Sequence, residues 1–449
     1  MQYLILIISL LCMSLLLANT GLFHFTVICM HPDKQITSSL NDSTPATTFT
    51  SFEEGWIFSA VAVGRLAGAL PTVGLMNHAG LKITFTIFGI LSGFSTLLMP
   101  IFSTSFHVAL LVRCLQGLGV TSVYVAHGAI PLAWGGPAEQ GLLVSLLSCS
   151  YELAPMLTMA LSGFFCTSSL GWPGVYYLFG STTILSFGAF FVIYSNSPLK
   201  NRFTLPKVSQ SSISVLPTDK TRSIKRRKLS VPYKSIFSSP SVWGVWMTAL
   251  GDAVGYQMFI MYGPIYINKV LHYEVAKTGM LAAFPFLISI GTKFLGGIFI
   301  DKATCVGDHS KIVFFTSFSQ AAMTACFLIL TFLSADTYVL AQAVFTLTIV
   351  FSGLHCVGVF SGSQNVARQF NHILTSIMAV ENGLVSFFLP TIVASVAPNH
   401  ESAEWANIFY YIVGVLVATN LTFVVFTKVK PAKWTTPAIL ELKRNDVIT

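Results

Sequence analysis

Charged residues are scarce in this sequence: Asp, Glu, Lys and Arg fill 9% of 449 positions, where soluble globular chains carry about 25%. With 53% hydrophobic residues, that excludes an ordinary water-soluble globule and indicates a polytopic membrane protein. Paired cysteine motifs are lacking too. Of the eight cysteines, Cys12, Cys29, Cys114, Cys149, Cys166, Cys326 and Cys356 lie in or at the ends of apolar runs and only Cys305 is clearly in a loop. No disulfide framework is therefore expected, and without CxxC or Cys/His spacing no metal site. No nucleophile stands at the spacing of a base or a metal ligand, so neither an enzyme nor a cofactor is expected. The first apolar run has no basic n-region and no obvious cleavage site, and it outlasts a signal h-region, so it reads as the first membrane helix. Tryptophan is missing from mid-membrane positions: Trp56, Trp134, Trp172, Trp243, Trp246 and Trp405 fall at predicted helix ends, where amphipathic rings prefer the headgroup layer.

What is present is a series of apolar windows, each long enough to span a bilayer, which takes about 20 residues. Twelve are predicted, near 3–29, 55–76, 82–102, 105–133, 140–166, 173–195, 241–264, 276–300, 312–333, 337–362, 372–397 and 404–427. Counting Lys and Arg over alternate loops places nineteen in one set of loops plus the C-terminal tail, and only Lys34, Lys269 and Lys277 in the other. By the positive-inside rule both termini are cytoplasmic, and the net charge of +8 mostly reflects this asymmetry rather than a nucleic-acid partner. The loop from His31 to Phe52 then faces outward or lumenally and contains Asn41-Asp42-Ser43, a glycosylation sequon.

The organisation is two six-helix halves, 1–195 and 240–427, with a basic linker at 196–239 and a cytoplasmic tail at 428–449. The linker peaks at SIKRRKLS and reads as a solvated segment near anionic lipid rather than a specific site at Ser230. The halves echo each other: GRLAGALPTVGLMNHAGLK after helix 2 and GTKFLGGIFIDKATCVGDHSK after helix 8 occupy corresponding places. Parallel six-helix repeats with a midplane site between them are the plan of the major facilitator superfamily. The fold class is thus an all-α membrane protein of that plan.

Charges inside the windows mark candidate functional positions, because each costs at least about 2.5 to 3.5 kcal/mol at the bilayer centre and so avoids lipid. They are Arg65 in helix 2, Arg113 in helix 4, Glu152 in helix 5, Asp252 in helix 7, Lys293 in helix 8 and Glu381 in helix 11. Arg113 has no acid within a helical turn. With Gln116, Val120, Tyr124 and His127 it forms one stripe of helix 4, as expected for a cavity or polar interface. His24, His127 and His355 read as satisfied polar residues before proton relays.

Several motifs narrow the reading further. VRCLQGLGVTSVYVAH followed by Trp134 and Glu139, then GWPGVYYLFG, VPYKSIFSSPSVW, PIYINKVLHYEVAKTGMLAAFP and NGLVSFFLPTIVASVAPNHESAEWANIF, resemble the anion transporter family that includes sialin, vesicular glutamate carriers and type I sodium-phosphate cotransporters. The resemblance runs from about helix 2 to Trp434. It places the family's helix-4 arginine on Arg113, with Gln116 and Gly117 in register, and its helix-11 asparagine on Asn382. The sequence departs where the family's helix-1 arginine falls on Thr20, its helix-4 glutamate on Val120, its helix-7 arginine on Asp252, and its helix-4 histidine on Gly128, one residue after His127. The superfamily plan also implies that helices 2 and 11 face each other, as do 5 and 8. Arg65 with Glu381 and Glu152 with Lys293 are then expected couples between the halves, which leaves Arg113 as the cation without an acid.

The expected function is secondary active transport, by alternating access, of a small organic anion of the carboxylate or phosphate class. Arg113, Gln116, Tyr124, His127 and Asn382 are expected to bind substrate, and Arg65, Glu152, Asp252, Lys293 and Glu381 to couple or gate. A guanidinium offers a planar fork matched to such anions. Expected partners are the anion, a coupling ion (proton or sodium) and the bilayer, in a plasma or an endolysosomal or vesicular membrane. The alternatives are an organic cation or amine transporter using Asp252, Glu152 or Glu381, and a non-transporting membrane scaffold or receptor derived from the family.

Overall fold

The computed structural model describes residues 2–30, 49–102, 105–134, 143, 146–196, 232–302, 307–333 and 337–435. Asn41, Cys305, the basic peak of the linker with Ser230, and the tail beyond Thr435 lie outside the described residues. Regular structure among the described residues is entirely helical. The first membrane helix is α1 (Gln2–Thr26). The next helical stretch, Ser51–Leu98, is broken at Gly80, whose φ of 75° only glycine adopts without strain. It is thus two membrane helices, α2 (51–79) and α3 (81–98). There follow α4 (Phe106–Trp134), α5 (Ser150–Thr167) and α6 (Gly171–Ile193). The second half holds α7 (Pro240–Ile265), α8 (Val275–Lys302), α9 (Asp308–Phe332), α10 (Tyr338–Ala367), α11 (Asn371–Val396) and α12 (Ser402–Phe426).

Local chemistry sets several of these ends. At the start of α2 the Glu53 amide donates to Thr50 Oγ1 (3.3 Å) while the Thr50 amide donates to Glu53 Oε2 (2.8 Å), a reciprocal capping box. Pro240 opens α7, where its missing N–H costs nothing. Ten of the twelve helices are long and apolar enough to cross a membrane by length and composition. The other two are α5, described over only 18 residues and carrying Glu152 and Pro155, and α7, which carries Asp252 and Gln257.

The two halves are joined at one end and parted at the other. The largest hydrophobic core draws on both, with Phe23, Phe58 and Met159 from the first and Tyr262, Phe286 and Trp405 from the second. At the end that bears the linker, the cores separate. Ile5, Phe85, Ile130 and Phe190 belong to a cluster made wholly from the first half, and Val242, Trp246, Phe370 and Leu374 to one made wholly from the second. At the joined end Ser59 Oγ donates to the Phe387 carbonyl (2.8 Å), Phe58 meets Tyr262 edge-on at 5.2 Å, and Gly163 of α5 lies against Gly279 of α8 so closely that a Cβ there would sit 2.8 Å from the other's Cα. The halves therefore share no apolar core at the linker end, where Leu66 and Leu70 of α2 are exposed.

One expectation is corrected here. Cys29, just beyond α1, and Cys166, in the last turn of α5, form a disulfide at the end away from the linker. They are 137 residues apart in sequence, and each looks like one more apolar helix-end residue, so spacing carries no sign of the bond.

Candidate functional site

Glycine contacts set the position of Arg113. A side chain on Gly64 of α2 would collide with the Cys114 carbonyl, and one on Gly117 of α4 with the Val61 carbonyl, so α2 and α4 cross at backbone contact. That crossing brings the Ile57 carbonyl of α2 within reach of the Arg113 guanidinium, and α1 supplies a second carbonyl, that of Thr20. Its Nη1 donates to the Thr20 carbonyl (2.7 Å) and to Gln116 Oε1 (3.0 Å), and its Nε to the Ile57 carbonyl (3.4 Å). Nη2 lies 3.5 Å from His24 Nε2, and the Phe23 ring faces the guanidinium at 5.4 Å. The Gln116 amide is oriented by α3: Thr96 donates its hydroxyl proton to the Ser92 carbonyl, so its oxygen accepts from Gln116 Nε2 (3.0 Å) and the amide oxygen must face Arg113. The side chain is 0% exposed and has no carboxylate partner among the described residues. Its charge is solvated by neutral dipoles alone.

The helix-4 stripe is divided in depth. Arg113, Gln116 and Val120 are sealed within the first half. Further along, Tyr124 is exposed and His127 half-buried, and both stand against the Tyr151 ring of α5, with centroids at 6.3 and 6.1 Å. Arg65, half-buried on α2, makes no hydrogen bond or ion pair among the described residues, and its Nε is buried without a partner there. It is within electrostatic reach of Arg113, His24 and Tyr151. Across the interface, Glu381 of α11 has a buried Oε2 without a partner. The expected Arg65–Glu381 couple is not formed in this structure, although α2 and α11 do pack together.

The other couple is formed. Lys293 of α8 is ion-paired with Glu152 of α5, the carboxylate 2% and the lysine 25% exposed, and the bond ties the two halves together. Beside it, Asp252 of α7 faces His355 of α10, with Oδ1 and Nδ1 3.6 Å apart. Asn382 of α11 accepts from Gln257 Nε2 of α7 (2.7 Å), which holds it inside the second half. Tyr151, Tyr256, Gln257, Thr248 and Gln320 carry no sequence signal beyond polarity inside an apolar run. Among the described residues no three His, Cys, Asp or Glu side chains are grouped to hold a metal.

The profile of the Major Facilitator Superfamily matches residues 6–390. Mouse sodium-dependent phosphate transport protein 1 is 23% identical over 406 residues, 88% of this chain and 84% of that protein. Human sialin is 25% identical over 388 residues, 85% of this chain and 76% of that protein. Among solved structures, a D-xylose-proton symporter superposes with a TM-score of 0.70 at 14% identity, covering 95% of this chain and 98% of that one. A bacterial homologue of the lysosomal transporter Spinster superposes with a TM-score of 0.63 at 12% identity, with 95% of each chain covered. These curated relatives are of the kind whose motifs the sequence shares, and the superpositions match the twelve-helix fold in two halves. The chain is a multi-pass membrane transporter of the Major Facilitator Superfamily.

Proposed function

We propose that this transporter moves a small organic anion of the carboxylate or phosphate class by alternating access. One observation carries the reading. Once Glu152 and Lys293 neutralise each other, the mid-membrane charge is divided between the halves: Arg65 and Arg113 remain on the first, Asp252 and Glu381 on the second. Two arginines in mutual electrostatic reach, neither with a carboxylate among the described residues, make the first half a receptor for an anion, because an unpaired buried cation is costly until a counter-charge arrives. In this reading the substrate cleft opens on the linker side, where the halves share no apolar core, and Arg65 is the cation an entering anion meets first. Arg113, fully enclosed here, supplies field from behind and contacts the substrate directly only in a state in which His24 and Gln116 yield. Tyr124, His127 and Asn382 border the route. The nineteen basic loop and tail residues support a cytoplasmic linker and cytoplasmic termini.

The carboxylates left on the second half favour one rival, transport of an organic cation on Asp252 or Glu381. Uptake of labelled phosphate, a carboxylate panel and an amine panel into proteoliposomes separates the two readings. Anion uptake reduced by Arg65→Ala supports the proposal, and amine uptake abolished by Glu381→Gln replaces it.

A further inference from the structure

A chain of hydrogen bonds across four helices of the second half fixes the proton positions around His355. Thr419 of α12 donates its hydroxyl proton to the Val415 carbonyl (2.9 Å), so its oxygen accepts from Gln320 Nε2 of α9 (2.9 Å). The amide oxygen of Gln320 must then face Thr248 of α7, and it takes that residue's single hydroxyl proton. With its proton spent, Thr248 Oγ1 can only accept from His355, whose Nε2 lies 2.9 Å away. His355 therefore carries hydrogen on Nε2. In the neutral ring the other nitrogen, Nδ1, is a bare lone pair, and it points at Asp252 Oδ1, also a lone-pair atom when the carboxyl is ionised. Both atoms are buried, and neither has a hydrogen-bond partner among the described residues. Two acceptors held 3.6 Å apart and shielded from water are one proton short.

We propose that Asp252 and His355 together bind one proton and that this proton is the coupling ion of the transporter; the coupling role rests on the transport reading above. A proton arriving from the cleft bonds to His355 Nδ1 and is donated to Asp252 Oδ1, or the reverse, and the pair passes from a net charge of minus one to neutral. Asp252, 17% exposed, is the entry side, whereas His355, 0% exposed, is sealed. The neighbouring charged and titratable groups are Tyr256 on α7, Lys293 on α8, Cys356 on α10 and Glu152 from α5, all within one electrostatic environment with Asp252. On α11, which also packs on α7, stands Glu381. α1 packs there as well and carries His24, engaged by Arg113. α9 and α12 contribute only the uncharged Gln320 and Thr419 to the chain. Proton uptake removes one anionic charge from the surroundings that Tyr256 and Cys356 share with Glu152 and Lys293, the pair that ties the two halves.

The test is a pH titration of the full chain in nanodiscs, followed by infrared difference spectroscopy with no transportable anion present. Carboxyl-labelled aspartate separates Asp252, the only aspartate within a helix interior among the described residues, from Glu152 and Glu381. Wild type should show aspartate and imidazole bands changing together with one midpoint, and Asp252→Asn and His355→Gln should each abolish that joint transition. Thr248→Val removes the acceptor on Nε2, so the ring can move its hydrogen to Nδ1 and satisfy Asp252 without gaining a proton. Its midpoint should fall by about one pH unit or more, a tenfold loss of proton affinity. If Asp252→Asn does not fold, the other two variants decide. An unchanged transition in His355→Gln, or an unmoved midpoint in Thr248→Val, overturns the proposal. Because no anion takes part, that failure leaves the anion reading intact, while an intact titration without any anion flux removes the anion reading alone.

Discussion

At the scale of single residues, the difference between Arg65 and Arg113 is one of partners. Arg113 is held by two backbone carbonyls and an oriented amide, so truncation to alanine strands the Gln116 amide oxygen as well as deleting charge, and a buried group left unpaired costs about 1 to 3 kcal/mol. Arg113→Ala should lower thermal stability in detergent and abolish anion uptake. Arg113→Lys keeps the charge without the fork, and should keep more uptake than Ala without reaching wild type. Arg65 bonds to nothing among the described residues, so Arg65→Ala should leave the melting temperature unchanged while raising KM for the anion about tenfold, the signature of lost substrate contact. Equal melting losses for the two alanine variants would show that Arg65 is structural. The isolation of Arg113 from acids on its own helix was legible in the sequence. Its acceptors were not, since the carbonyls of Thr20 and Ile57 exist at every position and leave no mark on residue type. Proton positions at His355 likewise depend on Thr419 and Gln320, on helices far away in sequence.

At the scale of elements, hydrophobic length predicted almost every span, because bilayer thickness acts on each helix separately. Helices α2 and α3 were expected as two spans, and the chain delivers them with a break of one residue at Gly80, whose neighbour Lys82 donates its amide to Asn196 at the far end of the half. The disulfide escaped notice for the opposite reason: it depends on α1 and α5 meeting, a fact of assembly and not of either helix. Replacing Cys29 or Cys166 by serine should lower the melting temperature equally, since either change opens the same bond, and the double variant should be no worse than the singles. The Gly163–Gly279 crossing is a close contact between the halves at the joined end, where small residues let helices approach. Gly163→Leu should force α5 and α8 apart and open that end. A cysteine at Phe58, buried there in the parent, should then react with maleimide several-fold faster in detergent, and an unchanged rate would mean the contact does not hold the end shut.

At the scale of the whole molecule, the sequence displayed the division into halves and the excess of basic residues on one side, but not which end of the cleft is shut. That depends on a free-energy difference between two packings of the same helices, to which both states bring the same residues. In this structure the halves are joined at the end away from the linker, and Arg65 and Glu381 sit on facing helices, neither with a hydrogen-bond or ion-pair partner among the described residues. Closing the linker end brings the inner segments of α2 and α11 together, and the pairing of these two charges would help stabilise that closed form. Leaving one charge of a buried pair stranded costs about 3 to 5 kcal/mol, so either neutralisation should disfavour the linker-closed state and slow transport, with little effect on the state seen here. The exchange Arg65→Glu with Glu381→Arg should partly restore the rate. Cysteines at 65 and 381 should cross-link more readily when Gly163→Leu biases the molecule towards closure at the linker end. An exchange variant no better than the singles, together with cross-linking indifferent to that bias, would show that the two charges act separately, Arg65 on the anion and Glu381 elsewhere in the cycle.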